Sequence, residues 1–321
     1  MLKPKKYLLI FFTIIALLIG AASIYVYNFV KHYPPPITSR ISLDAKLKYV
    51  REHINPKDID TIIIGSSIGM NNVIGSILEK NSSVVKHALN LSVYEATALE
   101  AKQLYELSKA FPNVKRVIYS AQYSDFPHPW KYENFDAKTL GKYMTNKLST
   151  IKTLKLIFKA CNNLPFCYER ANKWNTKHQN PKQFTSLIFD NTCSVPLKIY
   201  RQEKVGGRWY LPHPGIMHPK SFEAVEQMAK DMQKRGIKFY LAHQPYRPEL
   251  YKKYKNVRGA VDYFDKKVNQ RLKNYNNAYL IKLQDLPLTN KDYADRTHLN
   301  DRGSSKVTKA IAKFIDSKEE K

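Results

Sequence analysis

Between positions 60 and 70 the chain reads Asp60-Thr61-Ile62-Ile63-Ile64-Gly65-Ser66-Ser67-Ile68-Gly69-Met70. Thr61 to Ile64 form a short run of β-favouring residues, which is typical of a buried strand. Gly65 then allows a sharp turn, and two serines follow where a helix should begin. Because ligands of α/β proteins bind at the carboxyl ends of strands, the stretch predicts a polar site directly after a first strand. The alternative is that one of the serines only caps the helix.

A second stretch, Asp295-Arg296-Thr297-His298, lies near the end of the chain. An aspartate three residues before a histidine on one loop can accept a hydrogen bond from the imidazole ring. That bond selects the tautomer and leaves the other ring nitrogen free to act as a base. The stretch therefore predicts a histidine that is held ready for proton transfer.

Gly-x-Ser early in a chain and Asp-x-x-His late in it resemble the SGNH (GDSL-like) hydrolase superfamily. The resemblance covers roughly residues 57–125 and 236–316. It implies that Ser67 is the nucleophile, that His298 is its base and that Asp295 orients His298. The fold that it implies agrees with the alternation of predicted strands and helices, which indicates a three-layer α/β/α sandwich with a parallel sheet.

Four further site residues follow from the resemblance, with an oxyanion or substrate role. Ile68 follows the nucleophile at the start of the helix, and Glu95 stands where such proteins usually have a glycine. Gln122 stands where the family often has an asparagine, and its amide could donate similarly or belong to a packed polar residue. His243, at the end of a predicted strand, would line the pocket. With these departures at 95 and 122, the chain resembles membrane-anchored members of the superfamily that modify the cell envelope. Examples are the polysaccharide O-acetyltransferase partners and the D-alanine transfer protein of teichoic acids.

The strand–helix rhythm predicts a domain over residues 51–321. Its predicted strands are 61–64, 84–89, 114–120, 238–242 and 278–283. Residues 126 to about 220 break the rhythm and predict a mostly helical insertion. Trp130, Trp209 and Tyr210 in this insertion could stack on sugar rings or form its small core.

All three cysteines, Cys161, Cys167 and Cys193, fall within the insertion. Outside the cytosol a disulfide between the first two would close a short loop and leave the third unpaired. Of the histidines in the insertion, only His178 lies among the cysteines, and His213 and His218 share a separate loop. These are too few ligands for zinc, so no metal site is expected.

The N-terminal segment predicts a membrane anchor. Lysines at positions 3, 5 and 6 precede an uncharged run over residues 7–30, and about 24 helical residues would span a hydrocarbon core. The positive charge before the run places residues 1–6 in the cytoplasm and the domain outside. A cleaved signal peptide is the alternative, because Gly20-Ala21-Ala22-Ser23 offers small residues. Residues 31–50 are predicted to be a linker, in which Tyr33-Pro34-Pro35-Pro36 is a stiff spacer and a helix from Leu43 to His53 begins to enter the domain.

The net charge is +26, and the first 31 residues hold four lysines and no acidic residue, which leaves +22 for the remainder. Such a charge favours anionic glycans or lipid headgroups, unless it reflects only a lysine-rich proteome. Gly65-x-x-x-Gly69 lacks the ending of a nucleotide-binding loop, so no cofactor is expected. No nucleic-acid motif is apparent and an exported domain would rarely meet such a partner, so no nucleic acid partner is expected. The resulting hypothesis is acyl transfer, and specifically O-acetyl transfer, to an envelope polysaccharide, with a multi-span membrane acyltransferase as partner. A carbohydrate or lipid esterase, or a non-catalytic glycan-binding protein, are the alternatives.

Overall fold

The computed structural model describes residues 4–126, 134–161, 163–200 and 217–319. One sheet of five parallel strands runs through the domain. The strands are β1 (Thr61–Gly65), β2 (Ala88–Asn90), β3 (Arg116–Ala121), β4 (Lys238–His243) and β5 (Ala278–Lys282). Their spatial order, β2–β1–β3–β4–β5, reverses direction between β1 and β3, and such switch points are where open α/β sheets bind ligands.

Twelve α-helices are found in the described residues, and most of them alternate with the strands. They are α1 (Pro4–His32), α2 (Ile41–His53), α3 (Ser67–Asn72), α4 (Gly75–Asn81), α5 (Ala98–Ser108), α6 (Ala137–Met144), α7 (Thr150–Ala160), α8 (Leu164–Lys173), α9 (Pro219–Lys234), α10 (Pro248–Lys253), α11 (Lys255–Leu272) and α12 (Asp301–Glu319).

Successive side chains of the central strands enter different cores, because side chains alternate between the two faces of a sheet. Ile62 and Ile64 of β1 join the cluster formed with α5, α9 and α11, whereas Ile63 joins the cluster formed with α4 and α12. All three isoleucines are fully buried. Helices therefore cover both faces of the sheet, which explains why the strand reads as a continuous apolar run.

The second strand is shorter than the sequence predicted. Its first residues are diverted by side chains that bond to their backbone. The Ser82 hydroxyl accepts the N–H groups of Val84 and Val85, and Asp60 accepts those of Lys86 and His87. These bonds replace the ladder to β1, so regular pairing begins only at Ala88.

Within the described residues, α1 is the one helix that is long and apolar enough to cross a membrane. The same helix fits a signal sequence. The prediction that residues 31–50 form a linker outside the domain is wrong. Tyr33, Ile37 and Val50 are buried, and α2 packs on the domain. Burying these apolar side chains against the domain is favourable in free energy, whereas a solvated linker would leave them in water.

The insertion is helical from α6 to His178 and irregular from Gln179 to Tyr200. A disulfide joins Cys161 to Cys167, as predicted, and Cys193 is a buried free thiol. Trp130, Trp209, Tyr210 and His213 lie outside the described residues, so a sugar-stacking role for the aromatic ones stays a prediction. His178 lies within the domain, where its Nδ1 bonds to the Thr185 carbonyl.

Candidate active site

Ser66 and Ser67 have different positions at the end of β1. The Ser66 hydroxyl accepts the Ile68 N–H at 3.2 Å and thereby caps α3. Ser67 is the first residue of α3, where a backbone N–H has no partner within the helix. Capping is thus the task of Ser66, and the Ser67 hydroxyl is left for another contact.

The turn before these serines requires a glycine. Gly65 has φ +147°, a conformation that side chains rarely adopt, and a Cβ there would lie 2.3 Å from the Ser120 carbonyl oxygen. A Cβ on Gly69 would lie 2.5 Å from the Ser92 hydroxyl, so the loop after β2 presses against α3. Both glycines permit the close backbone approach that brings the serine turn to the sheet edge.

The Asp295–His298 loop is closed by its own backbone. Tyr293 and Leu299 form an antiparallel bridge, and the Ala294 N–H donates to the His298 carbonyl at 2.9 Å. Inside the loop, one carboxylate oxygen of Asp295 accepts the N–H groups of Thr297 and His298, each at 2.7 Å. An aspartate that bonds to backbone groups two and three residues onward stabilises such a turn locally.

These two loops meet in a hydrogen-bonded chain of three side chains. His298 Nδ1 lies 2.8 Å from Asp295 Oδ2, and His298 Nε2 lies 2.9 Å from Ser67 Oγ. With Nδ1–H donating to the carboxylate, Nε2 is the acceptor for the serine hydroxyl. The structure therefore places all three predicted catalytic residues in the geometry of a nucleophile, a base and its orienter.

Asp295 is held in its charged form. Burial acts to raise its pKa, but the charge on His298 and the hydrogen bonds from His298 and Thr297 outweigh burial and lower the pKa to about 2. A carboxylate that stays ionised can continue to accept the Nδ1–H and to stabilise a protonated imidazole. The electrostatics thus suit His298 as a proton acceptor.

Asn72, at the end of α3, links the nucleophile helix to both backbone neighbours of His298. Its amide donates to the Thr297 carbonyl at 3.2 Å, and its Oδ1 accepts the Leu299 N–H at 2.9 Å. The Asn72 side chain is fully buried. It thereby couples the position of Ser67 to the position of His298. Sequence reasoning missed this residue, although an asparagine within the helix predicted to begin at the serines was a usable signal.

A second buried carboxyl, Asp125, lies beside the serine turn. It accepts the Gln122 N–H at 2.8 Å. Burial raises its pKa to about 7, although the Gln122 N–H, the Ser66 hydroxyl and the charge on His298 all lower it. Sequence reasoning missed Asp125 as well, because nothing local distinguishes it from a loop aspartate.

Ile68 and Glu95, both predicted at the oxyanion site, have different surroundings. The Ile68 N–H is engaged by the Ser66 hydroxyl, so the structure does not present it as an open oxyanion donor. Glu95 has φ +57° and an exposed side chain. Glycine adopts this conformation at no steric cost, which fits a position where a glycine was expected. The Val93 N–H donates to Gly65 O at 3.0 Å and so brings this loop to the serine turn.

Gln122 is a buried link between strand ends. Its amide donates to the carbonyls of Gln244 and Pro245, at 3.5 and 3.3 Å, and its side chain is fully buried. The Gln122 amide therefore donates to backbone carbonyls. Of the two roles considered for it, that of a packed polar residue fits the structure, and that of an oxyanion donor does not.

His243 is also not on an open pocket wall. It is 3% exposed, its Nδ1 lies 2.7 Å from Asp265 Oδ1, and its ring centroid lies 4.3 Å from that of Phe264. Its strand position is as predicted, but the side chain enters the core below α11. The expectation of a substrate-facing histidine is wrong, since side chains alternate between faces even at the end of a strand.

Comparisons with known proteins give little that bears on this site. No protein-family model matches the chain. No curated protein matches it. Among solved structures, one from Streptococcus pneumonia that is provisionally described as a platelet activating factor has a TM-score of 0.45 and 9% identity, covering 92% of this chain and 98% of that one. A similarity at this level carries no argument about activity. The function is therefore argued from the geometry of the site.

Proposed function

We propose that this protein forms an acyl-enzyme on Ser67 and transfers the acyl group to a glycan of the cell envelope. The observation that carries the proposal is the unbroken chain from Ser67 through His298 to Asp295. A serine hydroxyl is a poor nucleophile until a base takes its proton, and this chain supplies that base.

The first half-reaction follows from these contacts. Ser67 Oγ attacks the carbonyl carbon of an acyl ester while its proton passes to His298 Nε2. When the tetrahedral intermediate collapses, the ester C–O bond breaks and the same proton passes to the leaving alcohol. The Ser67 N–H, which has no backbone partner among the described residues, is the donor we assign to the developing oxyanion.

The second half-reaction decides between transfer and hydrolysis. In transfer, a hydroxyl of the glycan loses its proton to His298 and attacks the acyl carbon. The bond between that carbon and Ser67 Oγ then breaks, and the proton on His298 passes to Oγ, which regenerates Ser67. Support for a glycan acceptor comes from the apolar helix α1, which would hold the site near the membrane surface, and from the charge of +22 beyond residue 31. An excess of that sign would concentrate an anionic polymer around the domain.

Covalent labelling tests the acyl-enzyme. A fluorophosphonate should modify the wild-type protein, and mass spectrometry should place the adduct on Ser67. Ser67→Ala and His298→Ala should lower acyl turnover by roughly 10⁴-fold or more. Ser66→Ala is the matched control, because it removes a neighbouring hydroxyl and a helix cap but not the nucleophile. Absence of wild-type labelling would identify a non-catalytic binding protein instead.

An activated acetyl ester separates the two second half-reactions. The full chain would receive this ester with and without purified envelope glycan. Transfer predicts faster turnover and acetylated glycan when the glycan is present. Fast acetate release with no effect of glycan would identify a hydrolase and end the transfer proposal.

A further inference from the structure

Helix α7 exposes an apolar face. None of its residues is buried, and Ile151, Leu154 and Phe158 are 69%, 46% and 73% exposed. Positions i, i+3 and i+7 fall on one side of a helix, so the three side chains form a single stripe. Leu156 and Ile157 pack against the core from other sides of the helix. The stripe therefore faces away from the domain.

A row of lysines flanks this stripe. Lys152, Lys155 and Lys159 are all exposed, and α7 contains no acidic residue. On the following helix, Tyr168 is 76% exposed. An apolar stripe bordered by lysines is the composition of helices that lie in a membrane interface.

The helical pair α7–α8 is fastened to the chain directly after α1. The Trp174 ring, at the end of α8, lies 6.3 Å from that of Tyr33. Arg170 donates to the Thr38 carbonyl at 2.7 Å and to Asp44 at 2.5 Å. The disulfide joins the end of α7 to α8. Because the ten residues of α8 measure about 15 Å, the disulfide holds the C-terminal end of α7 within about that length of Trp174 and so of the segment after α1.

We propose that α7 lies on the outer leaflet of the membrane that α1 spans. Ile151, Leu154 and Phe158 would enter the boundary between headgroups and acyl chains, and the lysine row would contact anionic headgroups. A lipid surface fits better than a second protein, since the attachment next to α1 keeps α7 near lipid and the flanking charge is of one sign. The proposal rests on α1 being retained as an anchor, and it does not depend on the chemistry at Ser67.

Nitroxide labels on single introduced cysteines test the proposal in the full chain. The protein would be reconstituted into vesicles of phosphatidylethanolamine and phosphatidylglycerol, with labels at Phe158→Cys, Lys152→Cys, Lys309→Cys and Leu17→Cys. Collision rates with oxygen and with a water-soluble nickel chelate report depth. Labelling of the unsubstituted protein measures any contribution from buried Cys193.

We expect the label at position 158 to resemble that at position 17, with high oxygen and low nickel accessibility. The label at 152, on the lysine side of the same helix, should be several-fold more accessible to nickel, and the label at 309 on α12 more so. A label at 158 that is as accessible to nickel as that at 309 would overturn the docking. Spin–spin broadening at 158 that vanishes on dilution with unlabelled protein would identify a second copy as the occupant, and also overturn it. A water-exposed label at 17 would remove the anchor and the docking together, whereas none of these results bears on fluorophosphonate labelling of Ser67.

Discussion

The side-chain oxygen of Asn72 accepts the backbone N–H of Leu299 at 2.9 Å, across 227 positions of sequence. Its amide nitrogen donates to the Thr297 carbonyl, so the residues on both sides of His298 are held by one side chain. The nucleophile helix and the histidine loop are thereby joined at a point that does not itself react. Such supporting contacts are what keep a catalytic geometry within a fraction of an ångström.

Asn72→Ala tests whether Asn72 positions His298 without reacting itself. Losing the amide leaves the Thr297 carbonyl and the Leu299 N–H without partners, which should cost about 1–3 kcal/mol of stability. Fluorophosphonate labelling of Ser67 should slow by roughly 10–100-fold, because a misplaced base transfers protons poorly. The rate would be measured at a temperature at which the variant is fully folded.

Asn71→Ala is the matched control for that variant. Asn71 is equally buried and donates to the Val195 carbonyl at 2.9 Å, which ties α3 to the insertion instead of to His298. It should lose comparable stability but keep the wild-type labelling rate. Equal slowing in both variants would show that Asn72 has no special coupling to the site.

The ionised Asp295 should contribute to stability at all but strongly acidic pH. Its folded-state pKa of about 2 lies below the usual 3.8, so the contribution is complete above about pH 4 and is lost as the pH falls through about 2. The shift corresponds to a contribution on the order of 2 kcal/mol. Urea unfolding at pH 5, 3 and 2 should show this loss in the wild type and a smaller loss in Asp295→Asn. Parallel pH profiles for the two proteins would contradict the assignment.

Asp125 should have the opposite effect on stability. Its folded-state pKa is raised from 3.8 to about 7, so the folded protein retains a proton that the unfolded chain has released. Stability should therefore fall as the pH rises from about 4 to about 7. In Asp125→Asn this fall should be smaller by roughly 2–4 kcal/mol, measured by urea unfolding at pH 4.5 and 8. Asp44, whose pKa is also raised to about 7 by burial, is present in both proteins and cancels in the comparison. An unchanged pH slope in Asp125→Asn would rule out this titration.

Arg170→Met should destabilise the attachment of α8 to the segment after α1. Arg170 is the ion-pair partner of Asp44, which is fully buried, and removing one member of a buried pair costs about 3–5 kcal/mol. The cost should be greater at pH 8 than at pH 5. At pH 5 the buried Asp44 carboxyl can take up a proton, which avoids a buried charge without a partner. Asp44→Asn combined with Arg170→Met should recover part of the loss. A double variant less stable than Arg170→Met would contradict this account.

Features that depend on neighbouring residues were predictable. The serine turn follows from an apolar run, a glycine and two serines, and the Asp295–His298 contact follows from a spacing of three on one loop. The disulfide follows from a separation of six positions. Each of these is decided over less than about a dozen residues, where backbone preferences and short loop closure dominate.

Errors arose where a distant part of the chain supplied the deciding contact. The predicted linker is buried because the domain offers it an apolar surface, and Arg170 bonds to Thr38 across 132 positions. His243 was expected to line the pocket, and Gln122 was expected either to donate at the site or to be a packed polar residue. Their partners, Asp265 and Pro245, lie on other elements. Sequence position places a residue at a strand end without deciding what its side chain will contact.

From the sequence alone, the residue types of the candidate site, their order along the chain, the parallel α/β architecture and the apolar N-terminal helix could all be inferred. The architecture, the helix and the serine turn depend on periodicity and on turn chemistry, which act locally, whereas the set of site residues followed from the family resemblance. Only the tertiary structure decided that Ser67 and His298 lie 2.9 Å apart, that Asn72 joins them and that Asp125 lies beneath the serine turn. Those contacts link residues far apart in the chain, and they form only when the sheet order and the packing of α3 against the loop before α12 bring the segments together.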